Sequence, residues 1–249
     1  MLKHFLSPPN WFTSASIFCG FYAIMLAASN PNDPAVFYQA GLLIGFAGIF
    51  DMLDGRVARM TKTESEFGVQ LDSLADVVSF GVAPAVLVYR WGLDSLGYAG
   101  LAAAFVFVLC GVFRLARFNV GASAHEEFES SRGLTITMAG GTLAAMVMFH
   151  AAIGATFVKN PFGPLATIVV LALLMVSNVP YPTTKALRLP RWGKAALAVF
   201  MGCVVAVGVF YDISFIVLPV MVAYSAAGPI SAALGFTRKR VQARRRSDD

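Results

Sequence analysis

Charge is what this sequence has least of. Only 13% of its 249 residues are Asp, Glu, Lys or Arg, against about a quarter in a typical soluble domain. No polar stretch is long enough to be a soluble domain, so a soluble globular architecture is excluded. Cysteine is equally sparse: Cys19, Cys110 and Cys203 lie far apart inside apolar runs, with neither a CxxC pair nor a Cys/His spacing that would hold zinc. They read as small buried hydrophobes. The three histidines, His4, His125 and His150, are scattered, which leaves no histidine-based metal centre. There is no internal repeat. The net charge of +5 does not point to nucleic acid, because the basic C-terminal tail has no aromatic residues interleaved with its charges. In an apolar chain it reports inside loops and anionic headgroups instead.

What is abundant is apolar: 57% hydrophobic residues and a mean hydropathy of +0.69. The expected fold class is therefore an all-α integral membrane protein, a polytopic helical bundle. Runs of roughly 17–25 residues are needed to span a bilayer. About eight are found, near 11–29, 35–54, 70–90, 96–116, 133–157, 161–180, 195–211 and 213–233. The first resembles a signal peptide in having Lys3 ahead of an apolar run, but it is long for one and is read as a retained helix. With both termini cytoplasmic, every Lys and Arg except Arg90 and Lys159 falls on the inside, as the positive-inside rule expects. Residues 1–236 read as one membrane domain. Residues 237–249 read as a basic, disordered tail resting on anionic lipid. Pro84 and Pro219 are expected to kink their helices, and Gly140-Gly141 with Ala144-Ala145 to let helices approach closely.

Against this background four aspartates within 26 residues stand out: Asp51, Asp54, Asp72 and Asp76. Ionised groups at membrane depth are costly and mark function by default. Residues three or four apart share a helix face, so Asp51 pairs with Asp54 at the end of the second span, and Asp72 with Asp76 at the start of the third. The polar turn Thr61–Glu66 lets the two helices return antiparallel and bring the pairs together, at the cytoplasmic side. Like charges so close require a cation. An all-carboxylate set suits a hard divalent ion such as Mg²⁺ or Mn²⁺, and two such ions can clamp a phosphoryl displacement. Gly55 and Ala58 leave a shallow face beside Asp54. A helix-interior glycine costs about 1 kcal/mol relative to alanine, so Gly55 serves either helix packing or the approach of a ligand. Gly68 is a loop, packing or site glycine. Arg59 either snorkels to headgroups or meets a diphosphate oxygen.

The pattern D-x-x-D-G-x-x-A-R-x8-G-x3-D-x3-D is complete in Asp51, Asp54, Gly55, Ala58, Arg59, Gly68, Asp72 and Asp76. It resembles the signature of the CDP-alcohol phosphotransferases. The resemblance implies that Asp51, Asp54, Asp72 and Asp76 together hold two divalent metals on the CDP diphosphate. It further implies that Asp76 is the general base. Asp54, Gly55, Ala58, Arg59 and Gly68 would meet the cytidine nucleotide.

Other stretches resemble the CDP-diacylglycerol–serine branch of that family. They are Pro9-Asn10-Trp11-Phe12-Thr13, Leu71–Pro84, Arg114-Leu115-Ala116-Arg117-Phe118-Asn119-Val120 and Ser177–Pro182. This implies transfer of a phosphatidyl group from CDP-diacylglycerol to L-serine with release of CMP, in a bacterial plasma membrane, by a homodimer. Arg114, Arg117 and Asn119 are then candidate contacts to the acceptor's carboxylate, or simply positive-inside residues. One departure stands out: where such enzymes carry G-L-P-x-P-A, this chain has Gly133-Leu134-Thr135-Ile136-Thr137-Met138-Ala139. The alternatives are the same chemistry on inositol phosphate or glycerol phosphate, and a cation or proton transporter built on the Asp cluster. A transporter predicts acids spread through the membrane depth rather than clustered at one face.

Overall fold

The computed structural model describes residues 7–29, 33–63, 65–123, 131–154, 160–181 and 212–248. Among the described residues, seven helices carry it. Helix α1, Pro8–Ser29, opens on two prolines, which fit a first turn whose N–H groups have no partner to lose. Helix α2, Pro34–Thr61, is started by Asp33, whose carboxylate accepts the Ala35 N–H at 2.9 Å. It is stopped at Lys62, in the left-handed region at φ 54°, with the Lys62 N–H returned to the Ala58 carbonyl. Helix α3, Glu66–Leu96, starts at Ser65, whose hydroxyl accepts the Gly68 N–H at 3.1 Å. Helices α4 (Tyr98–Ser123), α5 (Ile136–Ala152), α6 (Phe162–Val176) and α7 (Ser214–Asp248) follow. Two short strands, β1 (Ser131–Arg132) and β2 (Pro180–Tyr181), pair antiparallel, with Ser131 opposite Tyr181.

Among the described residues, five helices are long and apolar enough to cross a membrane: α1, α2, α3, α4 and the first twenty residues of α7. The protein is a helical membrane protein. The expected spans 133–157 and 161–180 correspond to α5 and α6, which are shorter, at 17 and 15 residues. The expected span 195–211 lies outside the described residues. The tail expected to be disordered is instead continuous with α7, which runs as a helix to Asp248. Lys, Arg and Gln are good helix formers, and no proline or glycine follows Gly235 to end the helix. Helix α2 runs seven residues past its expected end at 54. The motif Asp51–Arg59 is therefore displayed on one unbroken helix.

Helix α3 departs from regular α geometry in two places. Its turns at Val77–Val82 and Tyr89–Leu93 are π-helical, with the Ala83 N–H bonded to the Val78 carbonyl, five residues back. Pro84 has no N–H to give the preceding turn, and a wider turn absorbs that loss. The first wide turn begins directly after Asp76.

Hydrophobic burial does not pull helices together when lipid is the alternative; close approach of small residues does. Two such approaches fix the three helices around the motif. Gly20 on α1 lies against Ser79 on α3, where an added Cβ would come within 2.7 Å of the Ser79 Cα. Gly140 on α5 lies against the Phe80 backbone, where a Cβ would overlap the carbonyl oxygen. Ser79 adds a hydrogen bond, its hydroxyl donating to the Ser16 carbonyl at 2.9 Å. Helix α1 also packs along α2, and α2 along α5. Phe37, Ile44, Phe80, Leu87, Phe107 and Leu143 fill the space between them.

Candidate active site

Where α2 meets the start of α3, the four aspartates converge. One carboxylate oxygen each from Asp51, Asp54 and Asp72 lies within 4.8 Å of the others. The Asp76 carboxyl is in contact with that of Asp51. The i, i+3 and i, i+4 spacings put each pair on one helix face, and the end of α2 at Lys62 and the start of α3 at Ser65 bring the two faces together. Asp54 is buried, with only 6% of its surface exposed. Among the described residues, Oδ1 of Asp72 and Oδ1 of Asp76 are buried and have no hydrogen-bond partner. Buried carboxylate oxygens without donors are rare in a folded protein, and these face a cluster of like charge. Four carboxylates with unused lone pairs, and no imidazole or thiolate among them, fit a hard divalent cation.

Beside the cluster is a cavity of about 350 Å³, within the range of small-molecule sites. It is lined on the α2 side by Asp54, Gly55, Ala58 and Arg59, and on the α3 side by Gly68 and Asp72. The residues expected to meet a nucleotide thus share one space. The structure also bears on the two readings of Gly55. A Cβ placed there would meet only the Arg59 guanidinium, at 3.7 Å, so no neighbouring helix needs a glycine at this position. Gly68 is tighter: a Cβ there would lie 3.3 Å from the Ser65 hydroxyl and 3.8 Å from the Asn10 side-chain oxygen. Its small size serves the cap of α3.

The third wall of the cavity comes from α1, through Pro9, Asn10 and Thr13. Sequence reasoning gave these residues a resemblance but no role. The Thr13 hydroxyl donates to Oδ2 of Asp54 at 2.8 Å. Asn10, Thr13 and Ser16 are all buried, a polar stripe with a period of three along an otherwise apolar helix. That stripe is visible in the sequence and marks the face turned to the acids.

The three candidate acceptor residues on α4 separate. Arg114 is buried, 8% exposed, and lies beside Asp76, with Arg117 and Tyr224 of α7 also nearby. Arg117 is exposed and engaged with the backbone. Its guanidinium donates to the carbonyls of Arg132 at 3.0 Å, Val176 at 3.3 Å and Ser177 at 3.4 Å, and to the Asn178 side chain at 3.4 Å. Asn119 donates to the Ser73 hydroxyl at 3.0 Å, one residue from Asp72. In the segment that departs from the branch pattern, Thr135 caps α5 by accepting the Met138 N–H at 3.2 Å. That hydrogen bond gives the threonine a local structural use.

Comparison with known proteins agrees with this geometry. Residues 6–179 match the family model described as CDP-alcohol phosphatidyltransferase. The CDP-diacylglycerol–serine O-phosphatidyltransferase of Helicobacter pylori (strain 26695) is 40% identical over 184 residues, which cover 72% of this chain and 73% of that protein. The enzyme of the same name from Bacillus subtilis (strain 168) is 32% identical over 178 residues, covering 71% of this chain and 90% of its own. The archaetidylserine synthase of Methanothermobacter thermautotrophicus is 32% identical over 185 residues, covering 73% and 72%. A match over more than half of the chain, on the helices that carry the acids, makes the protein a member of the CDP-alcohol phosphatidyltransferase family.

Proposed function

We propose that the protein transfers the phosphatidyl group of CDP-diacylglycerol to the hydroxyl of L-serine, releasing CMP and forming phosphatidylserine. The observation that carries this reading is the convergence of Asp51, Asp54, Asp72 and Asp76 beside the cavity lined by Gly55, Ala58 and Arg59. The names of the relatives support the donor and the acceptor.

Asp51, Asp54, Asp72 and Asp76 would together hold two divalent cations, Mg²⁺ or Mn²⁺. Such ions, when bound, neutralise charge on the diphosphate and on the departing CMP. Arg59, five residues along α2 from Asp54 and on the same cavity wall, is placed for a diphosphate oxygen. Gly55 and Ala58 admit the nucleotide close to the α2 backbone. Asp76 accepts the proton of the serine hydroxyl as its oxygen bonds to the phosphatidyl phosphorus and the bond from that phosphorus to the CMP oxygen breaks. Arg114, adjacent to Asp76 and buried, pairs with the serine carboxylate. Arg117 and Asn119, already committed to backbone carbonyls and to Ser73, shape the pocket around it.

The site faces the cytoplasm of a bacterial plasma membrane, where nucleotide and serine are available, and both termini lie on that side. The charge asymmetry of the loops supports this placement. Residues 1–236 form one membrane unit, 237–249 a basic extension, and the active species is a homodimer. The test is CMP release by detergent-solubilised protein with Mg²⁺ or Mn²⁺, against serine, glycerol phosphate and inositol phosphate. Serine-dependent release that EDTA abolishes is expected. Release independent of serine, or driven better by another alcohol, overturns the acceptor.

A further inference from the structure

The eight motif residues all lie on α2 and α3, yet the most buried of the acids is held by a third helix. The Thr13 hydroxyl donates to Oδ2 of Asp54 at 2.8 Å, across 41 residues of sequence. Both partners are buried, at 3% and 6% exposed. The same hydroxyl has a weaker local option, the Pro9 carbonyl one turn back at 3.3 Å. A charged acceptor at the shorter distance takes the single proton, since hydrogen bonds to ionised groups are roughly twice as strong as neutral ones. Helix α1 is itself anchored to the helix carrying the other acid pair. Gly20 lies against Ser79, and the Ser79 hydroxyl donates to the Ser16 carbonyl at 2.9 Å. Ser79 is three residues beyond Asp76. One rigid element thus ties the Asp54 carboxylate to the frame that carries Asp72 and Asp76.

We infer that Thr13 is a positioning residue of the metal site: it fixes the orientation of the Asp54 carboxylate, so that the four acids are set for cations before any nucleotide arrives. The inference rests on the acidic cluster being a cation site, as proposed above, and adds a residue from outside the motif. With the Thr13 hydroxyl on Oδ2 and the Gly55 backbone N–H also donating to the carboxylate, the group cannot rotate freely, and it presents an oxygen within 4.8 Å of those of Asp51 and Asp72. Partners that orient a metal ligand in this way typically change metal affinity by about 10–100-fold when removed.

The experiment is a Mn²⁺ titration of the purified full chain in detergent micelles without nucleotide or serine, reading free Mn²⁺ by electron paramagnetic resonance. The proteins compared are wild type, Thr13→Val and Thr13→Ser, each with its thermal unfolding midpoint. Thr13→Val preserves the shape and removes the donor; Thr13→Ser retains it. The expected result is Mn²⁺ binding weakened about 10–100-fold in Thr13→Val and restored in Thr13→Ser, with the three midpoints alike. Equal Mn²⁺ affinity in wild type and Thr13→Val overturns the inference while leaving the cation site standing. Wild-type protein that binds no Mn²⁺ overturns both. A mere packing role for Thr13 would lower the midpoint of Thr13→Val without the Mn²⁺ effect, and that outcome also refutes positioning.

Discussion

Replacing Asp76 by Asn should separate activity from stability in opposite directions. Asn keeps the shape of the side chain and removes both its charge and its basicity. A positioned general base contributes about 10²–10⁴ in rate, and here the same carboxylate is also assigned to a cation, so CMP release should fall by at least that factor. The structure makes a second demand. Asp76 is pressed against Asp51, and its buried Oδ1 has no hydrogen-bond partner among the described residues. Without metal, this contact is a liability. An amide in its place can donate to the Asp51 carboxylate and relieves the crowding with Asp51 and Asp72, which outweighs the lost attraction to the neighbouring Arg114; the net relief is on the order of 1 kcal/mol. For a chain of this size that raises the unfolding midpoint by about 2–4 °C. The assay pairs serine-dependent CMP release with thermal unfolding in detergent containing EDTA. The variant should be inactive and more heat-resistant than wild type, as expected where function maintains a strained site. Retained turnover would refute the base assignment. A lower midpoint in EDTA would refute the account of Asp76 as an acid crowded by its neighbouring carboxylates.

Four further substitutions test the acceptor contact and the scaffold around the site. Arg114 and Arg117 are one helical turn apart, yet their surroundings predict different failures: Arg114→Gln should raise the KM for serine by about 10-fold or more, the loss expected for a charge-assisted hydrogen bond, with the KM for CDP-diacylglycerol little changed. Arg117→Gln should instead lower the thermal midpoint, because its donors hold the end of α6 and the Arg132 carbonyl; steady-state kinetics and thermal unfolding on both variants decide between these roles. Gly140→Ala places a methyl group on the Phe80 carbonyl and should destabilise the protein by about 1–3 kcal/mol, read as a fall in midpoint and, since Phe80 lies one turn from Asp76, in CMP release. Gly141→Ala, whose added methyl would meet only the flexible Met221 side chain at 3.5 Å, should be tolerated.

The motif was legible because its information is local. Pairs three and four residues apart on a helix share a face whatever the rest of the chain does, so Asp51 with Asp54 and Asp72 with Asp76 needed no tertiary knowledge. The boundaries were less legible. Hydropathy ends a span where charge begins, so α2 was expected to stop near Asp54. A helix in fact continues as long as its residues favour it, and the left-handed Lys62 sets the true limit of α2. Helix α7 extends past its apolar part for the same reason. The wide turns of α3 were not expected, because Pro84 announces a disturbance without saying how the helix absorbs it.

Composition by itself determined a chain of apolar helices suited to a membrane, and the spacing of eight residues carried the resemblance to its family and put four acids on two helix faces, a set that could hold a divalent cation. What the tertiary structure decided is which residues outside the motif share its space. Thr13 reaches Asp54 across 41 residues, Arg114 is buried beside Asp76 while Arg117 is spent on backbone carbonyls, and Gly55 opens on a cavity rather than on a packed helix. These depend on how closely helices approach one another, which is set by contacts such as Gly20 with Ser79 and Gly140 with Phe80. Partners so distant in the chain leave no periodic trace in sequence, and only packing brings them together.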